Sequence, residues 1–275
     1  MLGKRIATAV VGALGTVFLV HYGQEVFSLA VLIFTLLAWY EFCRMMSCQE
    51  INGASILGVL FIILIWGTTW LGNSQETVAV LVAAILVIMI KAVLFPTKFL
   101  FRDAAYTIIG IMYIAILFSH LLLLRFTDAS ISVFTHIGTY SAGEVYFWVA
   151  ILATWASDTF AYFVGSFFGK HKLAPLISPG KTWEGLGGGV VGSVFAALLI
   201  AYVCSLNVVS SGVLGLLIGI VAPLGDLVES ILKRSSGVKD SSQLIPGHGG
   251  VLDRFDSILF AVPVVYYYII IVGLR

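Results

Sequence analysis

The chain has 275 residues, of which 60% are hydrophobic and 11% are charged, and its mean hydropathy is +1.06. A soluble domain carries about 25% charged residues, so this composition excludes an ordinary soluble protein and indicates an integral membrane protein. The net charge of +1 argues neither for nor against an anionic partner, and we expect no nucleic-acid partner.

Apolar segments of about twenty residues recur along the chain, the length that crosses roughly 30 Å of hydrocarbon as α-helix. The nine candidate spans lie near residues 5–22, 25–43, 54–72, 76–95, 104–124, 145–168, 185–206, 209–232 and 255–274. Barrel strands would alternate over about ten residues, and the sequence lacks that pattern. The first segment also resembles a secretory signal peptide, but no small-x-small cleavage site follows it. We therefore predict an all-α, polytopic membrane protein with about nine transmembrane helices.

The distribution of basic residues predicts the orientation of these spans, because cytoplasmic loops collect Lys and Arg. With the N-terminus in the cytoplasm, only Arg125 and Arg275 of the fifteen Lys and Arg residues fall on the outer side. The sequence thus favours a cytoplasmic N-terminus. An odd number of spans then places the C-terminus outside.

Residues 1–125 consist of spans joined by short connections, and we predict that they form a scaffold or a route for lipid entry. Their polar and aromatic residues are typical of anchors at the membrane interface. These residues are Trp39, Tyr40, Arg44, Trp66 and Trp70. The polar stretch 126–144 is predicted to be a surface loop or a short interfacial helix. No catalytic chemistry is apparent in residues 1–125.

Residues 126–275 are predicted to form the catalytic region, because ionisable residues now occur at and inside the ends of spans. Asp158 lies within an apolar span, where an ionised carboxylate costs at least about 2.5 kcal/mol. We expect it to face a protein interior or a water-filled cavity, with a purely structural hydrogen bond as the alternative.

The segment "SPGKTWEG" (178–185) precedes another span. Its Ser, Pro and Gly residues delay the helix, so that Lys181 and Thr182 lie beside a helix start whose free N–H groups favour anions. A phosphate contact is plausible here, although Pro175 stands where a Walker A loop needs glycine. The following glycines, four residues apart, favour close helix packing and also permit a homodimer.

A third set of polar residues begins at "APLGDLVES" (222–230) and continues to residue 256. Pro223 and Gly225 are predicted to interrupt the eighth span beside Asp226. Asp253 and Asp256 are three residues apart near the next helix start, so their carboxylates can converge. Oxygen ligands of this kind suit Mg²⁺. The alternative is a set of ion pairs among Asp226, Arg254 and Lys233.

The stretch "SILKRSSGVKDSSQLIPGHGGVLDRFD" (230–256) resembles, position for position, the signature of the phosphatidate cytidylyltransferase family. That signature reads S-x-hydrophobic-K-R, four residues, K-D, then P-x-H-G-G-hydrophobic-x-D-R-hydrophobic-D. The segments "SDTFAYFVG", "GKHKL", "SPGKTWEG" and "GDLVES" are similar to the same family's. The resemblance covers about residues 150–275, whereas the first 125 residues agree with the family only in hydropathy.

The resemblance implies transfer of the cytidylyl group of CTP to phosphatidic acid, with Mg²⁺ as cofactor. The sequence leaves open whether a second metal ion or a monovalent cation takes part. The site roles implied by the motifs fall into three groups. The metal ligands are Asp226, Asp253 and Asp256; the substrate contacts are Asp158, Ser178, Lys181, Thr182 and Arg254; and the catalytic group is Lys233, Arg234, Lys239, Asp240 and His248.

Asp240 and His248 are expected to orient basic side chains or a water molecule, or to act in acid–base catalysis. A site at the cytoplasmic ends of the last four spans would receive CTP from the cytosol and phosphatidate from the bilayer, at the inner membrane of a bacterium.

Two other functions fit parts of the pattern. One is a CTP-using lipid kinase related to this family, and the other is an ion-coupled transporter.

Overall fold

The computed structural model describes residues 2–127, 131–136, 138–245 and 249–273. Helices form most of it. They are α1 (Leu2–Tyr22), α2 (Gln24–Ser47), α3 (Ser55–Trp70), α4 (Ser74–Leu94), α5 (Phe101–Ile111), α6 (Leu117–Phe126), α7 (Ala142–Phe168), α8 (Trp183–Val203), α9 (Val208–Ser235) and α10 (Leu252–Val272). A π-helical turn, Met112–Ile116, makes α5 and α6 one continuous span.

Each of the nine predicted spans lies largely on a helix. Among the described residues, seven helical segments are long and apolar enough to cross a membrane. The other two are shorter apolar helices, Val10–Tyr22 and Ser55–Trp70. A helix of sixteen residues, the length of α3, is about 24 Å long. The membrane class is confirmed, while the count of nine spans stays a prediction.

Two short β-hairpins were not predicted. Strands β1 (Ser132–Thr135) and β2 (Gly138–Ser141) pair antiparallel, so a loop or interfacial helix over 126–144 was the wrong prediction for the described part of that stretch. Strands β3 (Lys172–Ala174) and β4 (Ser178–Thr182) form the second hairpin. Strands this short carry little periodic signal, because an alternation needs several residues to be recognised.

The predicted interruption of the eighth span was also wrong, since α9 is continuous through Pro223. Proline has no N–H, so only the carbonyl four residues earlier, that of Gly219, loses its helical donor. The remaining hydrogen bonds of the helix can still form. Membrane helices tolerate proline where the protein satisfies the freed carbonyl. Pro223 is buried.

The chain divides into two compact units, residues 1–122 with 233–254 and residues 123–232 with 255–275. In the first unit, Trp39 of α2 is buried and its Nε1 donates to the Ser55 carbonyl over 3.0 Å. Gly58 of α3 lies directly against the Trp39 ring, which leaves no room for a side chain. Trp39 therefore belongs to the core of this unit and is not an interface anchor as predicted.

The second unit contains a tightly packed pair of helices, α7 and α8. A Cβ atom at Gly188 would lie 2.5 Å from Val164 Cγ2, and one at Gly192 would lie 2.6 Å from Phe160 Cγ. Glycine at these positions lets the two backbones approach closely. The prediction that these glycines serve helix packing is confirmed, and the face they form is covered by α7 of the same chain.

Candidate active site

Helix α9 ends at Ser235 in a turn that its sequence specifies. Gly237 has φ +70°, a left-handed conformation that favours glycine. The Gly237 N–H donates to the Arg234 carbonyl over 3.1 Å, and the Val238 N–H donates to the Lys233 carbonyl over 3.0 Å. This pair of bonds is the Schellman motif that commonly ends a helix. It leaves the Lys233 and Arg234 side chains on the last helical turn.

Asp253 lies in the first turn of α10 and accepts hydrogen bonds on both carboxylate oxygens. Its Oδ1 accepts from Lys233 Nζ at 2.6 Å. Its Oδ2 accepts from the Ser241 N–H at 2.9 Å, the Ser241 hydroxyl at 2.7 Å and the Gly250 N–H at 2.8 Å. Gly249 has φ +80°, and a Cβ there would lie 2.7 Å from Asp253 Oδ2. Lys233, Ser241 and Gly250 thus all contact one carboxylate.

Glu41, on α2, lies beside the same segment. It is fully buried, with 0% of its surface exposed. Its Oε1 accepts from the Ser242 hydroxyl at 2.5 Å and the Val251 N–H at 2.8 Å. Its Oε2 accepts from the Ser241 hydroxyl at 3.1 Å and the Leu252 N–H at 2.9 Å. A helix near the start of the chain therefore holds the segment that leads into α10.

Sequence analysis missed Glu41, although one signal could have revealed it. Its sequence neighbours include Trp39, Tyr40 and Phe42, so it is a carboxylate within an apolar span. Such a group is costly unless the protein interior satisfies it. The same reasoning applies to Asp158, whereas residues 1–125 are predicted to be scaffold or a route for lipid entry.

In the second unit, hairpin β3–β4 positions Lys181 and Thr182 at the start of α8. The Thr182 hydroxyl accepts from the Gly185 N–H at 3.1 Å and so caps the helix. The Lys181 Nζ lies 2.7 Å from Asp226 Oδ2 and donates to the Pro223 carbonyl over 3.1 Å. The predicted location of Lys181 and Thr182 beside a helix start is confirmed. The helix cap uses the Thr182 hydroxyl as an acceptor.

Asp226 and Asp256 belong to neighbouring helices of this unit. Gly225 of α9 packs so closely against the Asp256 carbonyl oxygen of α10 that a Cβ would collide with it. The Ser230 hydroxyl donates to Asp226 Oδ1 over 3.3 Å, and the Ser257 N–H donates to Asp256 Oδ1 over 2.6 Å. The backbones that carry the two acids therefore lie next to each other.

The other residues predicted for the site lie at or near the surface. Arg234 is exposed and donates from Nη1 to the Val238 carbonyl over 3.3 Å, and Ser178 pairs with Ala174 in the hairpin. The remaining exposed residues are Asp158, Lys239, Asp240 and Arg254. Exposure of Asp158 rules out a fully buried interior position, and the water-filled cavity stays a prediction. His248 lies outside the described residues.

Within the described part of the chain, no three His, Cys, Asp or Glu side chains are grouped so as to hold a metal ion. Two of the three predicted metal ligands are instead paired with lysines, Asp226 with Lys181 and Asp253 with Lys233. This resembles the alternative of ion pairs, but with different partners from those predicted. Arg254, one of the residues in the predicted ion pairs, is exposed.

The chain belongs to the cytidylyltransferase family, since the model of that family matches residues 3–272. Within this family, it is similar to the phosphatidate cytidylyltransferase of Bacillus subtilis (strain 168), with 33% identity over 96% of both chains. It is 37% identical to the phosphatidate cytidylyltransferase of Staphylococcus saprophyticus over 76% of this chain and 75% of that protein. Its identity to the protein of the same name from Staphylococcus aureus (strain COL) is 33% over 94% and 95%.

Proposed function

We propose that this protein transfers the cytidylyl group of CTP to phosphatidic acid, giving CDP-diacylglycerol and pyrophosphate for phospholipid biosynthesis. The family match over residues 3–272 supports the cytidylyl transfer, and the names of the relatives support phosphatidate as the acceptor. The observation that carries the proposal is the pairing of Lys233 with Asp253 at 2.6 Å. This contact brings together the two ends of the segment whose motif resembles the family signature.

The reaction requires two polyanions to meet. A phosphate oxygen of phosphatidate attacks the α-phosphorus of CTP, a new P–O bond forms, and the bond from the α-phosphorus to the bridging oxygen of pyrophosphate breaks. The nucleophile is already an anion, so it needs no strong base. The protein must align the groups and offset their negative charge. Lys181, Lys233, Arg234 and Lys239 are the cations that we assign to this task.

Lys181 and Lys233 each have a carboxylate partner that positions the ammonium group. The Lys181–Asp226 pair is partly exposed, with 22% and 34% of the side chains accessible, whereas the Lys233–Asp253 pair is 12% and 8% accessible. An arriving phosphate can therefore reach Lys181 more readily. We assign Lys181 to binding of the nucleotide phosphates and Lys233 to alignment within the site.

Asp226 and Asp256 fit a Mg²⁺ ion by the chemistry of their donors and by their location. Both offer carboxylate oxygens, and Gly225 lets their two helices touch at this level. Mg²⁺ usually takes one or two carboxylates, several waters and substrate phosphate, so a cluster of three acids is not required. When bound, Mg²⁺ would neutralise phosphate charge. Asp253 is the third predicted ligand, and that role stays a prediction.

We further propose nine spans with a cytoplasmic N-terminus and a site facing the cytoplasm of a bacterial cell. Contacts inside the first unit support one part of this topology, that the connections after α2 and before α5 lie on the same side of the membrane. The connection after α2 contacts the start of α5, because the Asn52 N–H donates to Asp103 Oδ1 over 3.1 Å. Arg102 Nη2 donates to the Glu50 carbonyl over 2.8 Å. These connections and the segment bound by Glu41 are all predicted to be cytoplasmic.

Contacts inside the second unit likewise support a common side for the positions that are predicted to lie outside. The His136 N–H, after β1, donates to the Val203 carbonyl at the end of α8 over 3.1 Å. The Tyr268 hydroxyl donates to the Ser210 carbonyl over 3.0 Å. All these positions are predicted to lie at or near the outer side. The N-terminal spans serve this arrangement as scaffold, and a homodimer stays a prediction.

Product analysis tests the proposed reaction. Purified protein is incubated in detergent with phosphatidate, Mg²⁺ and CTP labelled in either the cytidine or the γ-phosphate. We expect cytidine label in the lipid fraction and γ-label in pyrophosphate, with no turnover when EDTA replaces Mg²⁺. Transfer of γ-label to a polyprenol would indicate the lipid kinase instead. Ion flux in proteoliposomes without nucleotide, together with no lipid product, would indicate the transporter.

A further inference from the structure

Glu41 is a fully buried acid that contacts the signature segment, and its surroundings demand a carboxylate. Each of its two oxygens accepts one backbone N–H and one serine hydroxyl. A serine hydroxyl can rotate, but a backbone N–H cannot. A glutamine at position 41 would therefore direct its amide NH₂ at the N–H of Val251 or of Leu252 in either orientation. A buried donor facing a donor costs about 1–3 kcal/mol.

The local packing also fits the carboxylate. A Cβ at Gly250 would collide with both the Ser241 hydroxyl oxygen and Glu41 Oε1. The backbone of the segment can therefore pass this close to Glu41 only with glycine at position 250. The approach joins residues 200 and more positions apart in the chain, so it is a tertiary contact and not a local one.

Glu41 is connected to the proposed reaction groups through a single side chain. The Ser241 hydroxyl lies 3.1 Å from Glu41 Oε2 and 2.7 Å from Asp253 Oδ2. Asp253 in turn accepts from Lys233 at 2.6 Å. The one proton of the Ser241 hydroxyl is shared between the two carboxylates, so a contiguous series of polar contacts leads from α2 to the ammonium group on the last turn of α9.

We infer that Glu41 is a positioning residue for cytidylyl transfer. It fixes the N–H groups of Val251 and Leu252, which lead into the first turn of α10, and through Ser241 it sets the orientation of Asp253. Glu41 itself touches no substrate in this scheme. The inference rests on the proposed function, in which Asp253 and Lys233 belong to the reaction site.

The decisive variant is Glu41→Gln, studied by two measurements. Hydrogen–deuterium exchange should become at least about tenfold faster at the Val251 or the Leu252 amide, whichever faces the glutamine NH₂ group and so loses its acceptor. The kcat for CDP-diacylglycerol formation should fall about 10- to 100-fold, since a displacement of about 1 Å in a reacting group has an effect of that size. The KM values for CTP and phosphatidate should stay within about threefold, because the binding groups are still present.

Asp103→Asn is the matched control. Asp103 is also a buried acid of the first unit, 1% exposed, and its oxygens accept from the N–H groups of Asn52 at 3.1 Å and Leu100 at 2.8 Å. An amide there produces the same conflict at a connection outside the signature segment. We expect a lower thermal midpoint and faster exchange at Asn52 or Leu100, with unchanged exchange at Val251 and Leu252 and an unchanged kcat.

Ser241→Ala and Ser242→Ala extend the test if Glu41→Gln does not fold. Each removes one hydroxyl from Glu41, but only Ser241 also reaches Asp253. We expect kcat to fall at least about fivefold more in Ser241→Ala than in Ser242→Ala. Equal kcat values in these two variants would overturn the inference.

Two further outcomes would overturn it. One is a wild-type kcat in Glu41→Gln despite faster exchange at Val251 or Leu252. The other is an equal loss of kcat in Glu41→Gln and Asp103→Asn at equal loss of stability. Failure of the proposed function is separate, because it would appear as no cytidine label in the lipid product of the unsubstituted protein, whatever Glu41→Gln does to amide exchange. Loss of turnover in Asp253→Asn with normal turnover in Glu41→Gln would reject the role of Glu41 alone.

Discussion

The Lys233 ammonium group lies 2.6 Å from Asp253 Oδ1, and the two side chains are only 12% and 8% exposed. This ion pair joins the last turn of α9 to the first turn of α10 within one compact unit. Removing one member of a buried pair leaves the other charge uncompensated, which costs more than the pair contributes. Stability and activity must therefore be measured separately at this site.

Asp253→Asn should lower CDP-diacylglycerol formation by about 100-fold or more, in the range observed when one preorganised electrostatic group is removed from an active site. The measurement is initial rate on the monodisperse fraction after size-exclusion chromatography in detergent. Near wild-type turnover would contradict both the metal assignment and the proposed role of the pair.

A double-mutant cycle on the same pair separates its structural contribution. Lys233→Ala and Asp253→Ala should each destabilise the protein, and the double variant should be more stable than the sum of the single effects implies. We expect a coupling energy of about 0.5–3 kcal/mol, as for contacting residues in general. Chemical denaturation in detergent measures it, and a coupling near zero would show that the pair adds nothing to stability.

Lys181→Gln should raise the KM for CTP at least about tenfold, because a cation assigned to the nucleotide phosphates is lost. Its pair with Asp226 is partly exposed, so the change in stability should stay within about 1 kcal/mol. Lys172→Gln is the matched control, since Lys172 is an exposed lysine on the same hairpin. Equal KM values for the two variants would reject the assignment.

Gly188→Ala should destabilise the protein by about 1–3 kcal/mol, the usual effect of overpacking. The new Cβ would lie 2.5 Å from Val164 Cγ2 and 2.6 Å from Val164 Cβ, so a rotamer change alone cannot make room. Gly187→Ala is the control on the same helix, because its Cβ would meet nothing within 4 Å. That variant should be stabilised by up to about 1 kcal/mol. Thermal midpoints in the reverse order would contradict the α7–α8 packing.

Thiol labelling tests the orientation. Cys48, in the connection after α2, is exposed, and a membrane-impermeant maleimide should label it in inside-out vesicles only. Burial raises the pKa of the Cys204 thiol, so this residue should react slowly. The variant Cys48→Ser measures the background, and Cys48→Ser with Thr139→Cys should be labelled in right-side-out vesicles. Labelling of Cys48 from the outside would reverse the proposed topology.

Local properties of the sequence determined the membrane class, the approximate positions of the helices and the family. The length of an apolar run decides whether it forms a long membrane helix, and a signature motif is read residue by residue. The packing role of Gly188 and Gly192 was predicted for the same reason, because a spacing of four residues defines one face of a helix. The end of α9 at "KRSSGVKD" follows from one glycine with positive φ.

Tertiary structure alone decided which charged groups meet. Asp226 and Asp253 were predicted to share a metal site, yet each lies beside a lysine, because an ion pair depends on the packing of distant segments and not on spacing. Glu41 binds residues 200 and more positions later in the chain, and no local pattern connects them. The sequence predicted acids near helix ends. Only the fold showed that Glu41 on α2 accepts hydrogen bonds from the residues that begin α10.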